Sequence, residues 1–149
     1  MTNRQFWAKL DGFSKTKKDD VLGLCKLIRQ GYKEDLTMIC GVRHTAPDIV
    51  HQLYINIDES DPTIPGNRFM LCFTSMSMAR SDKMLTEPIE TLPVRFVVDN
   101  ALNKAVIGGL VFNHHDEDRI MICPKEFLSE TTLMKAMEAV FGSTDGQGK

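Results

Sequence analysis

The sequence predicts an α/β domain, with α+β as the alternative: a mixed sheet of about five strands with flanking helices. Three observations carry this. Apolar strand candidates alternate along the chain with segments of helical period. Arg68 to Phe73 holds a run of consecutive apolar residues, as a central strand covered on both faces requires. Ile107 to Leu128, IGGLVFNHHDEDRIMICPKEFL, reads as an apolar run, a polar loop and a second apolar run. That is a buried β-hairpin, and its antiparallel pair excludes a purely parallel sheet.

The elements follow in order. Thr2 to Leu10 reads as a short helix with Phe6, Leu10 and Phe13 on one stripe, ended by the polar break SKTKKDD. Val21, Leu24, Cys25 and Ile28 then mark one face of an amphipathic helix, with Asp19 and Asp20 suited to its positive end and Gly31 as its terminator. Leu36 to Val42 is the first strand, RHTAPD breaks it, and Leu53 to Ile57 alternates as a second. DESDPTIPGN is the strongest loop signal, and Arg68 to Phe73 is the third strand. TSMSMARSDK reads as a helical turn capped by Thr74 or Ser75. Leu92 to Leu102 fits strand or helix, with helix favoured for its second half. Strands at Ile107 to Phe112 and Arg119 to Cys123 make the hairpin, and Pro124 opens the turn PKEFL. A helix near Glu130 to Phe141 places Leu133, Met137, Val140 and Phe141 on one face.

A chain of 149 residues is most simply one domain, here 1–142, followed by STDGQGK at 143–149 as a disordered tail. This length buries about two-thirds of the unfolded surface, so the core needs no disulfide or metal. The composition, 42% hydrophobic and 26% charged, is that of a soluble globular protein, and a net charge of -2 gives no pull toward nucleic acid or anionic membrane. Cys25, Cys40, Cys72 and Cys123 each lie in an apolar run without metal or disulfide spacing, as expected for core thiols in a reducing compartment. The N-terminus lacks a signal peptide's apolar core, and no stretch approaches the ~20 apolar residues of a membrane span. A cytoplasmic location is expected.

The order of features resembles the N-terminal domain of the SseB family, named for enhanced serine sensitivity. The carriers are an apolar strand ending in Phe73, Thr74 and Ser75, with Ala79 in the helix after it, then Gly109 and Asn113 in a strand that turns into RIMIC. The resemblance spans about residues 36–128. It implies a bacterial origin, a compact α/β domain and no catalytic mechanism to carry over.

Ligand-type side chains cluster only at His114, His115, Asp116, Glu117 and Asp118. Adjacent histidines on an extended backbone point to opposite sides, so a hairpin loop is expected there and no metal site. His44 and His51 flank a Pro-containing loop and show no partner spacing. A Cys/His dyad joining Cys40 or Cys123 to His44, His51 or His115 would need an exposed, activated thiolate, and these thiols sit in apolar strands. Thr74 and Ser75, after a central strand, stand where α/β proteins place ligand sites, yet without glycines to bring backbone NH groups to a phosphate. Met38, Met70, Met121 and Met137 lie in apolar segments, whereas Met76, Met78 and Met84 lie in a polar one and mark the expected interaction surface. The acidic loop Asp58 to Gly66 is a second exposed candidate.

The resulting expectation is a non-catalytic binding or regulatory module that takes no cofactor and no metal. Its partner is expected to be a protein, a second copy of this chain included, and neither nucleic acid nor membrane. The alternative is a small enzyme with a site assembled from Thr74, Asn113, His114 and Arg119.

Overall fold

The computed structural model describes residues 1–56 and 68–142. Its elements are α1 (Asn3–Thr16), α2 (Val21–Lys33), β1 (Thr37–Ala46), β2 (Ile49–Gln52), β3 (Tyr54–Asn56), β4 (Arg68–Phe73), α3 (Met76–Arg80), β5 (Ile89–Pro93), α4 (Val94–Asn103), β6 (Ile107–Phe112), β7 (Met121–Pro124) and α5 (Glu130–Met137). A 3-10 turn at Lys125–Leu128 leads into α5, and a π turn at Glu138–Gly142 follows it. The strands form one mixed, open, seven-stranded sheet in the order β2-β1-β4-β6-β7, with β3 on β4 and β5 on β1. Only β4 and β6 run parallel; the other pairs are antiparallel. The α/β class therefore holds for a sheet larger than the sequence suggested.

The extra strands come from two stretches. RHTAPD does not end β1, which continues to Ala46 and turns through Pro47 and Asp48 into β2; both residue types favour such turns. Leu92 to Leu102 divides at Pro93, with β5 before it and helix throughout Val94–Asn103. Leu53 then carries the chain from β1 to β4. Its amide donates to the Gly41 carbonyl at 3.0 Å, and its carbonyl accepts from the Leu71 amide at 2.9 Å.

The helix ends also differ from the sequence reading. A capping box between Thr2 and Gln5 starts α1, which runs through the polar break as far as Thr16. There the hydroxyls of Ser14 and Thr16 donate back to the Asp11 and Gly12 carbonyls, so these residues serve the helix instead of ending it. Asp20 caps α2 by accepting from the Gly23 amide. Gly31 lies inside α2, and a Cβ there would stand 2.8 Å from the Phe6 ring. Its lack of a side chain lets α1 pack closely against α2. Asp35, at φ 57°, takes the left-handed position past the helix end, and the Leu36 amide reaches back to the Gly31 carbonyl.

Alternation divides the strand residues between two faces. Met38, Cys40, Val42, Met70, Cys72, Leu110 and Phe112 meet Phe6, Leu10, Leu24, Ile28, Val97, Val98 and Leu133 in the main core. Ile39, Leu71, Phe73 and Ala79 form a smaller cluster with Trp7, Leu53, Ile55, Met76, Leu85 and Ile89. β4 is covered on both faces, as its continuous apolar run requires. All four cysteines are buried and free. At the C-terminus Leu133 is buried and Met137 half-buried, but Val140 and Phe141 are exposed. The π turn has a wider hydrogen-bond spacing than an α-helix and takes these two residues off the expected stripe. Among the described residues, no helix is long and apolar enough to cross a membrane.

Candidate functional site

The carboxyl ends of the parallel pair β4 and β6 lie side by side, and there three of the four residues of the enzyme alternative meet. Asn113, at φ 57°, turns the chain out of β6 and sends its side chain back into the protein. Its Oδ1 accepts from the Thr74 amide at 3.2 Å, and its Nδ2 donates to Thr74 Oγ1 at 2.9 Å and to the Arg119 carbonyl at 3.3 Å. Thr74 Oγ1 donates to Asp11 Oδ1 at 2.7 Å. Arg119 completes the ring, with Nη2 on Asp11 Oδ1 at 2.5 Å and Nε on Ser14 Oγ at 2.7 Å. Asp11 and Ser14, both on α1, were not among the residues the sequence pointed to. Thr74 and Asn113 are fully buried, and this network uses their polar side-chain atoms internally. It ties α1 to the sheet and to the β6–β7 turn. Ser75, not Thr74, caps α3, by accepting from the Met78 amide.

His114 does not join this network. It lies with His115 along a cleft of about 530 Å³ on the smaller-core face, floored by Leu53, Ile55, Leu71 and Leu85 and rimmed by Arg43, Asp82, Met84 and Glu87. The two histidines line the same cleft, contrary to the expectation from an extended backbone. The cause is the left-handed Asn113 and the turn closed by the Asp116 amide on the Asn113 carbonyl. No group of three or more His, Cys, Asp or Glu side chains is placed to hold a metal ion among the described residues.

One arrangement in the rim has the residue types of nucleophile, base and orienter, and no sequence spacing points to it. His115 Nε2 lies 2.8 Å from Ser81 Oγ, and His115 Nδ1 lies 3.9 Å from Asp82 Oδ2. The proton positions decide its chemistry. Ser81 Oγ donates its only proton to the Met78 carbonyl at 2.7 Å, so Nε2 is the donor toward Ser81. A ring that donates from Nε2 cannot accept the serine proton. Nδ1 is then left buried without a partner, and Asp82 is beyond hydrogen-bond distance.

The thiol chemistry weighed from sequence is also disfavoured. The hydrogen bond with Cys40 and burial push the Cys72 thiol well up, and burial and Cys25 do the same for Cys123. Cys40 and Cys72 are opposite each other in the β1–β4 pair. His44 is held by Glu90, whose hydrogen bond raises its pKa, and His51 Nε2 contacts Thr45 Oγ1 at 3.2 Å.

The three methionines of the expected interaction surface separate. Met78 is buried, Met76 packs half-buried on the smaller core, and Met84 is 88% exposed at the cleft rim. In α3 the first two lie on the covered side of a short helix, whereas Met84 follows it in a turn. The acidic loop Asp58 to Gly66 lies outside the described residues. A second hollow, of about 540 Å³, shares Arg43, Leu53 and Tyr54 with the cleft and adds Thr45, His51, Gln52, Asn56 and Arg68. Gln52 is 4% exposed, and its Oε1 has no hydrogen-bond partner. Gln52 and Tyr54 pair with Val42 and Met70 and so turn toward the main-core face; the trough proper is the cleft on the smaller-core face, floored by Leu53, Ile55, Leu71 and Leu85. Across its rim Arg43 holds Glu87 at 2.7 Å, which lowers the Glu87 pKa and favours the ionised pair.

No protein-family model, no curated protein and no solved structure significantly matches this chain.

Proposed function

We propose that the protein is a non-catalytic binding module and that its trough receives an extended segment of a partner protein. The observation that supports this most is the pairing of an apolar floor, Leu53, Ile55, Leu71 and Leu85, with an exposed methionine at its rim. An apolar side chain of the partner fits over Leu53, Ile55 and Leu71, where Met84 can adapt its shape around it. The reading follows the SseB-type resemblance, which carries no catalytic mechanism to this chain.

The enzyme alternative is weakened because three of its four residues are engaged with one another or with α1, and His114 lies elsewhere. Fluorophosphonate labelling tests the remaining catalytic arrangement, Ser81 with His115, since such probes trap an activated serine. The intact protein is expected to show no adduct at Ser81 after prolonged incubation, as judged by peptide mass spectrometry. A stoichiometric Ser81 adduct that disappears in His115→Ala would overturn the non-catalytic reading.

A further inference from the structure

On the main-core side, away from the trough, α2 and α5 expose two stripes at helical spacing that face each other across a groove of about 330 Å³. The α2 wall carries Lys26, Arg29 and Lys33; the α5 wall carries Leu133, Met134 and Met137, with Glu130 at its start. Met134 is 64% exposed. From this geometry we infer that the groove docks an amphipathic helix of a partner protein, its apolar face on the methionines and an acidic edge along α2. This inference goes beyond the trough reading and stands independently of it.

The charge balance selects the occupant. Three cations line the groove against one carboxylate, Glu130, which Lys33 holds at 3.1 Å and Arg29 approaches at 3.9 Å, so the groove keeps a positive excess. Arg29 is ordered by its own contacts: Nη1 donates to the Leu128 carbonyl at 3.1 Å, and the guanidinium lies 4.3 Å from the centre of the Tyr32 ring. Its Nε is buried and has no acceptor. The cations an incoming helix can reach are the exposed Lys26 and Lys33: a carboxylate edge would pair with them, whereas a basic helix would meet like charges. Methionine side chains give the opposite wall a surface that adapts to a helix without preforming one pocket. Apolar anchors a turn apart, flanked by complementary charge, are the usual terms of helix-in-groove recognition.

The test uses the full chain and a fluorescein-labelled helical peptide with leucines on one face and glutamates along one edge, read by anisotropy. Saturable binding is expected. It should weaken about tenfold or more for Met134→Glu, for Lys26→Glu combined with Lys33→Glu, and for a peptide with lysine in place of each glutamate. All three substituted residues are exposed, so the melting curves of both variants should match the wild type. Absence of saturable binding, equal binding of the two peptides, or unchanged binding to Met134→Glu would each overturn the inference. So would a dimer that Met134→Glu converts to monomer and the acidic peptide fails to displace, because the groove would then seat a second copy of this chain.

Discussion

Replacing Gly109 with valine is expected to unfold the protein or to cost about 4 kcal/mol or more, the range reserved for changes that displace core backbone. A Cβ at Gly109 would stand 2.1 Å from the Cys123 carbonyl oxygen and 3.0 Å from the Lys125 amide nitrogen. Those are backbone atoms of β7 and the turn after it, so relief requires moving the hairpin and not a flexible side chain. The residue also has φ +154°, a conformation that side-chain-bearing residues rarely adopt. The register explains the strain. Arg68 pairs with Ile107 and Phe69 with Gly109, which leaves Gly108 as an extra residue in β6. Gly12 serves as the control, since nothing lies within 4 Å of a Cβ there. Gly12→Ala should stabilise α1 by about 0.5–1 kcal/mol. Urea unfolding of the two variants checks both values. Two nearly neutral substitutions would show that the β6–β7 hairpin is not packed as described.

The second large effect lies in the buried polar network. Asn113→Ala removes the acceptor of the Thr74 amide and both Nδ2 donations, and places alanine at φ 57°. The expected loss is about 2–4 kcal/mol, since each buried polar group left unpaired costs about 1–3 kcal/mol. Asn113→Gly separates the two causes: it relieves the backbone and still loses the hydrogen bonds, so it should recover only part of the loss. Asp11→Ala should fall in the same range by leaving Arg119 and Thr74 without their shared carboxylate. The Asp11 and Arg119 side chains are about one-fifth exposed, which keeps this estimate below that of a fully buried ion pair. A change under about 0.5 kcal/mol for Asn113→Ala, by the same unfolding measurement, would mean the network adds no stability and would reopen it as a functional site.

Much of this architecture was legible because local pattern and local structure agree. The apolar run of β4, the IGGLVF and RIMIC hairpin and the stripe of α2 each declare themselves within a few residues. The glycine pair in β6 is the local mark of the bulge and of the close backbone approach, since glycine inside a strand commonly signals one or the other. What escaped depends on long-range partners. Gly31 reads as a helix terminator until Phe6 is placed against it. The stretch from Ser75 to Leu85 reads as polar, yet the sheet behind it buries Met78 and leaves Met84 outside. Asp11 lies 63 residues from Thr74 and 108 from Arg119, so no spacing rule could join them. Thr74, Asn113 and Arg119 were rightly singled out as belonging together, but for a chemistry that their mutual saturation argues against. The trough assembles from β1, β3, β4, the turn after α3 and the hairpin loop, and only topology brings these to one face.

The claim that binding resides at the trough is tested most directly by quantitative capture from cell extracts with wild-type protein and Met84→Glu, each checked by its melting curve. Met84 is 88% exposed, so the substitution should leave stability within about 0.5 kcal/mol of wild type. A partner that wild type retains, that cross-links to residues of the trough and that Met84→Glu loses at least about tenfold is the expected result. Equal retention of the same proteins by both, or cross-links confined to other faces, would contradict it.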